Sequence, residues 1–222
     1  MKKQLLKSAL IAVAGVGLLV GSAQAVLIDF TNDSIFGAIG TQNTFSTNYY
    51  GFALTLTASD NKNLTFNSSM GEAPGAFDFG TYGPDFVGAG DGIGIFGGAN
   101  NDEIDMGETL TVSFVPSVGV LGIYFLDLYS ETGGVEEAFY NFNTGTLASA
   151  TGNLSTGLGK IAVGFTEVNG VATMTFTSQD SNSDFALAGL EVNPVPEPAT
   201  MLLFGTGLAG LAAVARRRKI QA

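Results

Sequence analysis

Three residue types are missing from this chain, and two of them build many enzyme and metal sites. Its 222 residues contain no cysteine, no histidine and no tryptophan. Without cysteine there are no disulfides. Without histidine there is no triad with a histidine base and no histidine-ligated zinc or iron site. Only carboxylate or Ser–Lys chemistry remains open, so the composition predicts a protein that is not an enzyme.

Basic residues are nearly absent from the middle of the chain. Between Val26 and Pro194, two lysines (Lys62 and Lys160) face nineteen acidic residues, which leaves a net charge of −17. Such a surface repels nucleic acid and anionic lipid, so we expect no nucleic-acid partner. It attracts divalent cations, although an acidic surface that keeps an exported protein soluble is the more common explanation.

Residues 1–25 have the three parts of a secretory signal peptide. Lysines at the start precede an apolar run over residues 9–20, and Ala23-Gln24-Ala25 forms an A-x-A cleavage site. Cleavage after Ala25 predicts a mature chain that starts at Val26.

The C-terminal segment, residues 194–222, also divides into three parts. Its middle, residues 199–215, carries no charge, and at 1.5 Å per residue it gives roughly 25 Å of helix, enough for a short transmembrane helix. The cations behind it are typical of a cytoplasmic flank, so the preceding domain is expected outside the cell membrane. The flanking parts are a proline motif and a cationic end, made of Pro196, Glu197, Pro198 and of Arg216, Arg217, Arg218, Lys219.

This tail resembles the PEP-CTERM sorting signal of Gram-negative bacteria. The resemblance implies that exosortase, an integral-membrane enzyme, recognises the proline motif and the arginines 216–218. It also implies an anchor in the inner membrane before processing, and then a place on the cell surface or in the exopolysaccharide matrix of a biofilm. Tails of this kind are sometimes labelled as the C-terminal domain of ice-binding proteins.

The span between the two ends, residues 26–193, alternates between apolar and polar residues as β-strands do. No apolar repeat at helical spacing stands out, and clusters of glycine, asparagine, aspartate and serine separate the runs. Asn169-Gly170 predicts a tight hairpin between two strands. We expect an all-β domain, an antiparallel β-sandwich of jelly-roll type. The predicted strands are 26–30, 52–57, 64–66, 92–96, 110–114, 118–125, 139–142, 161–165, 171–176 and 185–192.

The densest group of side-chain oxygens lies at residues 100–108, close to Asp91. Loop carboxylates and amides suit Ca²⁺, which takes six to eight oxygen ligands in irregular geometry. The alternative is that Ile104, Met106 and Leu110 point inward while the acids face water. The candidate calcium ligands are Asp91, Asn101, Asp102, Asp105 and Glu108.

Three further activities stay open beside a structural or adhesive role. A lectin-like glycan site, with or without calcium, would use exposed aromatic rings beside carboxylates. Two carboxylates could hydrolyse a glycosidic bond, but no pair stands out. Threonines spaced two apart share a face of a strand, as an ice-binding surface would require, but a flat regular array needs repeated coils that this sequence lacks. The candidate residues are Tyr49, Tyr50, Tyr82, Tyr129 and Tyr140 for glycan, and Thr55, Thr57, Thr109, Thr111, Thr173, Thr175 and Thr177 for ice.

Overall fold

The middle of the chain forms β-structure with little helix. The computed structural model describes residues 24–40, 42–66, 86, 90, 92–97, 103–131, 134–143, 145–153, 159–181, 183–194, 205–208 and 210–211. Between residues 24 and 194 it contains one short helix, α1 (Asp33–Phe36), and one 3-10 turn (Ser59–Asn61). The strands are β1 (Val26–Asp29), β2 (Thr44–Tyr49), β3 (Phe52–Ala58), β4 (Asn63–Phe66), β5 (Ile93–Phe96), β6 (Thr109–Leu126), β7 (Ser130–Glu131), β8 (Gly134–Val135), β9 (Glu137–Phe142), β10 (Ala148–Thr151), β11 (Ile161–Thr177) and β12 (Ala186–Pro194).

Ten of these strands belong to a single antiparallel sheet, and β7 and β8 form a separate two-stranded ribbon. The long strand β6 pairs with β11 along one edge. Along its other edge it pairs first with β3 and then with β12. The sheet therefore branches around β6 and β11 and curls into a half-barrel. The predicted all-antiparallel β class is confirmed. The predicted β-sandwich would have two separate sheets. The described strands instead form one hydrogen-bonded sheet, because β6 and β11 run continuously through both branches.

The inner face of the curled sheet holds the hydrophobic core. Alternate residues of β3 are buried, and the same alternation continues along the first half of β6. Phe125 lies at the centre, with its ring centroid 5.5 Å from that of Phe185, 6.1 Å from Phe176 and 6.3 Å from Tyr140. Truncating such a buried phenylalanine to alanine costs about 3–5 kcal/mol, so these rings dominate the stability of the sheet.

The prediction of a hairpin at Asn169-Gly170 is wrong. Residues 161–177 form one continuous strand, β11, and its pairing with β6 shifts register between Gly164 and Val168, Val168 and Val171, and Val171 and Thr173. Gly170 has a φ of +70°, the conformation that an Asn-Gly turn also uses. Here the left-handed glycine serves a β-bulge instead, because β6 offers an equally long partner on which the chain can continue.

Other predictions agree in type and differ in extent. The runs 110–114 and 118–125 are parts of one strand, β6, and the predicted strands at 26–30, 52–57, 64–66, 92–96, 139–142 and 185–192 correspond to β1, β3, β4, β5, β9 and β12. Strands β2 and β10 were not predicted. Both are edge strands with polar and small residues, so they carry little of the apolar alternation that marks a half-buried strand.

Candidate functional site

The C-terminal segment begins where the sheet ends. Pro194 is the last residue of β12 and lies opposite Val118 of β6. Beyond it the structure describes residues 205–208 and 210–211, which are helical. The proline motif (Pro196, Glu197, Pro198) and the arginines 216–218 lie outside the described residues. Among the residues that are described, no helix has both the length and the apolar character needed to cross a membrane.

The predicted start of the mature chain lies beside this segment. Strand β1 is antiparallel to β12, with Val26 opposite Val192. Pro194, where the tail begins, is therefore only two residues beyond the partner of Val26. Ala25 is exposed, and Ala23 lies outside the described residues. Both predicted membrane-directed segments therefore leave the domain at the same end of the sheet.

A buried carboxylate organises the loop before β6. Glu108 is fully buried, and its Oε1 lies 2.8 Å from Nζ of Lys62, whose side chain is 30% exposed. Its Oε2 accepts a hydrogen bond from the backbone N–H of Asp105 at 2.9 Å. The hydrogen bond to Glu108 raises the pKa of Lys62 above its ordinary value of 10.5. Because Lys62 directly precedes β4 and Glu108 directly precedes β6, this carboxylate links the loop to the starts of both strands.

This arrangement bears on the calcium hypothesis. Both oxygens of Glu108 already accept hydrogen bonds, so a cation there would have to displace Lys62 or the loop amide. Asp91, Asn101 and Asp102 lie outside the described residues, and the described part of the chain contains no cluster of three acidic residues suited to a metal ion. Calcium binding stays a prediction.

The alternative prediction for this loop, in which its apolar residues point inward and its acids face water, is wrong in part. Ile104 and Leu110 are buried as expected, but Met106 is 55% exposed. Asp105 and Glu108 are buried rather than facing water. The cause is Lys62, one of two lysines in this acidic span, because it supplies the counter-charge that lets Glu108 enter the protein.

Of the four candidate tyrosines that the structure describes, Tyr50 alone is largely exposed. Tyr140 is buried in the core, and burial raises the pKa of its hydroxyl. Tyr49 is half-buried and donates a hydrogen bond to the carbonyl of Leu27 at 3.1 Å. Tyr50 is 71% exposed and packs edge-to-face on Tyr49. Tyr129 is half-buried and its backbone N–H donates to Glu136, while Tyr82 lies outside the described residues.

The outer face of the sheet carries two rows of side-chain hydroxyls, which we call the hydroxyl array. Each row crosses four neighbouring strands, β2, β3, β6 and β11, and every neighbouring pair is in direct register. Neighbouring strands lie about 4.8 Å apart, and same-face residues along one strand lie about 7 Å apart, which sets the spacing of the residues in the two rows. The first row is Thr44, Thr57, Thr111 and Thr175, and the second is Ser46, Thr55, Ser113 and Thr173.

All eight residues of the array are accessible. Thr44 and Ser46 are exposed and the other six are half-exposed, while the residues between them along β3 and β6 face the core. Ser46 and Thr55 share a hydrogen bond of 2.9 Å at one end of the array. The hydroxyls of the four members on β6 and β11 make no hydrogen bond with another described residue. The array therefore offers unpaired donors and acceptors to a ligand.

Comparison with known proteins identifies the tail. Residues 194–219 match the PEP-CTERM protein-sorting motif. The predicted resemblance is therefore confirmed over the residues that suggested it. The motif indicates an exported protein that exosortase sorts and that associates with the cell surface. No curated protein and no solved structure is significantly similar to this chain.

The PEP-CTERM motif and the sheet share a residue. The motif starts at Pro194, which still pairs with β6, so removal of a segment that begins beyond Pro194 leaves β12 complete. Strand β12 joins β1, β5 and β6, and most of its residues are buried. The described strands therefore contain no residue of the motif beyond Pro194.

Sequence reasoning missed a second carboxylate site on the outer face of the sheet. Tyr124 donates a hydrogen bond to Oε2 of Glu191 at 3.2 Å, and burial followed by the Glu191 charge raises the pKa of the tyrosine. The two border an open cavity of about 390 Å³ that Gly164 also lines. The sequence signal was a glycine inside a strand, Gly164, where a Cβ would meet open space.

Proposed function

We propose that the chain is made as a membrane-anchored precursor and released as a structural or adhesive protein of the exopolysaccharide matrix. The signal peptide at residues 1–25 would start export, and the helix at 199–215 would hold the precursor in the inner membrane until exosortase acts. The match of residues 194–219 to the PEP-CTERM motif is the observation that carries this proposal.

The position of the two chain ends supports a single membrane-proximal attachment. Val26 and Pro194 lie at the same end of the sheet, so both membrane-directed segments can reach one bilayer while the domain is folded. The rest of the domain is then free to face away from the membrane. This geometry suits a protein that folds first and is released afterwards.

We further propose that the released domain is not an enzyme. The most buried of the described carboxylates bind other groups of the protein. Glu108 pairs with Lys62, and Asp29 accepts hydrogen bonds from the backbone N–H and the hydroxyl of Thr31. A catalytic acid needs a carboxyl group that can reach substrate and change protonation state. An ion-paired carboxylate in the core serves stability instead.

Cell fractionation in a host that encodes exosortase tests the proposal. We expect the protein in the surface and matrix fraction, and in the membrane fraction of an exosortase-deficient strain. A glycosidase that degrades the matrix polysaccharide should release the protein. Protein that reaches the medium without any matrix association, in a strain that still makes the polysaccharide, would contradict the matrix role while leaving the sorting role intact.

A further inference from the structure

We infer that the hydroxyl array is a binding surface for a neutral polysaccharide. This inference rests on the proposed function and names the surface of the domain that would contact the matrix. The array occupies the outer face of β2, β3, β6 and β11, where its eight hydroxyls lie in two rows of four.

The first argument is charge. The span from Val26 to Pro194 carries a net charge of −17, yet the array contains no charged residue. If this face served solubility alone, it would be expected to share the acidic composition of the rest of the domain. A face without charge avoids the cost of desolvating carboxylates when a ligand covers it. The same-face neighbours on the described strands are also uncharged: Asn48, Ala53, Thr109, Val115, Asn141 and Thr177.

The second argument is the supply of hydrogen bonds. The four array hydroxyls on β6 and β11 have no partner among the described residues. A polysaccharide chain presents hydroxyls repeatedly along its length, and each can both donate and accept. The threonine methyl groups add apolar contact for the C–H faces of the sugars.

The shape of the array argues against an ice surface. Neighbouring strands twist by about 20–25°, so three strand-to-strand steps rotate one end of a row by roughly 60–75° against the other. The sheet also curls into a half-barrel. A crystal plane is flat and can match only part of such a row. A polysaccharide chain is flexible enough to follow it.

Pull-down of the full-length chain, purified in detergent, on swollen amorphous cellulose, whose chains do not form a flat crystal face, tests the inference. The variant carries Thr57→Val, Thr111→Val and Thr175→Val, which removes the three half-exposed hydroxyls of the first row and keeps β-branched side chains of similar shape. Each neutral hydrogen bond is worth a factor of about 2 to 10 in affinity, so we expect the triple variant to bind at least tenfold more weakly. A double variant outside the array, Thr151→Val with Thr166→Val, should bind like the parent.

A matched pair of charge variants covers the case in which the triple variant does not fold. Thr111→Glu places a carboxylate inside the first row, whereas Thr166→Glu adds the same charge to an exposed position of β11 outside the array. We expect loss of cellulose binding only for the first of these. Equal binding by both variants would overturn the inference. It would also be overturned if the parent protein does not bind cellulose, if it binds the anionic polymer alginate more tightly, or if it inhibits ice recrystallisation through the array.

The result is independent of sorting. Purified protein tests the surface without any exosortase, and the array variants leave residues 194–219 untouched. Failure to bind polysaccharide with normal processing would therefore refute the binding surface alone. Failure of processing with normal binding would refute the sorting account alone.

Discussion

Replacing Lys62 with methionine should strongly destabilise the domain, because it leaves the charge of Glu108 without its partner inside the protein. Glu108 is fully buried. Without Lys62, its carboxylate would keep the hydrogen bond from the backbone N–H of Asp105 and would lose its counter-charge. Removing one partner of a buried ion pair typically costs 3–5 kcal/mol. The Lys62 side chain is 30% exposed, so solvent already screens part of the interaction and we expect about 2–4 kcal/mol.

Urea unfolding of the processed protein, followed by tyrosine fluorescence, measures this loss. The double variant Lys62→Met with Glu108→Gln supplies the control, since it removes both charges and should recover a large part of the stability. A loss of under about 1 kcal/mol for Lys62→Met would match an ordinary surface ion pair and refute the argument from burial. A double variant as unstable as the single one would refute it as well, by showing that the lysine chain matters and its charge does not.

The same pair predicts a dependence on alkaline pH. The hydrogen bond to Glu108 raises the pKa of Lys62 above 10.5, so the folded state holds this proton more tightly than the unfolded state. Its contribution to stability is complete below pH 10.5 and is lost as the pH rises through the folded-state pKa. The gap in unfolding free energy between the parent and Lys62→Met should therefore narrow above pH 10.5. A gap that stays constant to pH 12 would contradict the assignment.

Three further changes have defined outcomes. Gly92→Ala should lower the free energy of unfolding by at least about 3 kcal/mol, because φ is +88° and the new Cβ would lie 2.5 Å from the carbonyl oxygen of Leu187. The control Gly51→Ala, at φ +92° in open space, should lower it by only about 1 kcal/mol in the same urea assay. Asn143→Ala should cost about 1–3 kcal/mol, since its Oδ1 accepts hydrogen bonds from two backbone N–H groups of β11; a change below 0.5 kcal/mol would show that water replaces it. If the calcium hypothesis holds, millimolar Ca²⁺ should raise the melting temperature, and Asp105→Asn should reduce that rise; an unchanged melting temperature would refute calcium binding.

The sequence predicted the class of the domain well and the connection of its strands poorly. Alternation along β3 and along the first half of β6 is a local signal, and it placed those strands within a few residues. Asn169-Gly170 is a local signal as well, but whether a left-handed glycine makes a turn or a bulge depends on the neighbouring strand. That neighbour, β6, comes more than forty residues earlier, so no short window of sequence could decide between them.

The candidate sites show the same limit. The tail could be recognised from sequence because its three parts are consecutive in the chain, and the match at residues 194–219 confirms it. The hydroxyl array could not. Each Thr-x-Thr pair was visible, but its alignment with the pairs on other strands was not. Register between four strands aligns Thr57, Thr111 and Thr175 without any repeat. Likewise, the burial of Glu108 depends on Lys62, 46 residues away.

The central claim, that the tail is a removable sorting signal on a domain that ends with β12, is tested most directly by the intact mass of the exported protein. In a host with exosortase, the account predicts a species that begins at Val26, retains Pro194 and lacks residues 216–219. The same host without exosortase should accumulate a species that keeps all four. An exported protein that still carries Arg216 to Lys219 while exosortase is active would contradict the account.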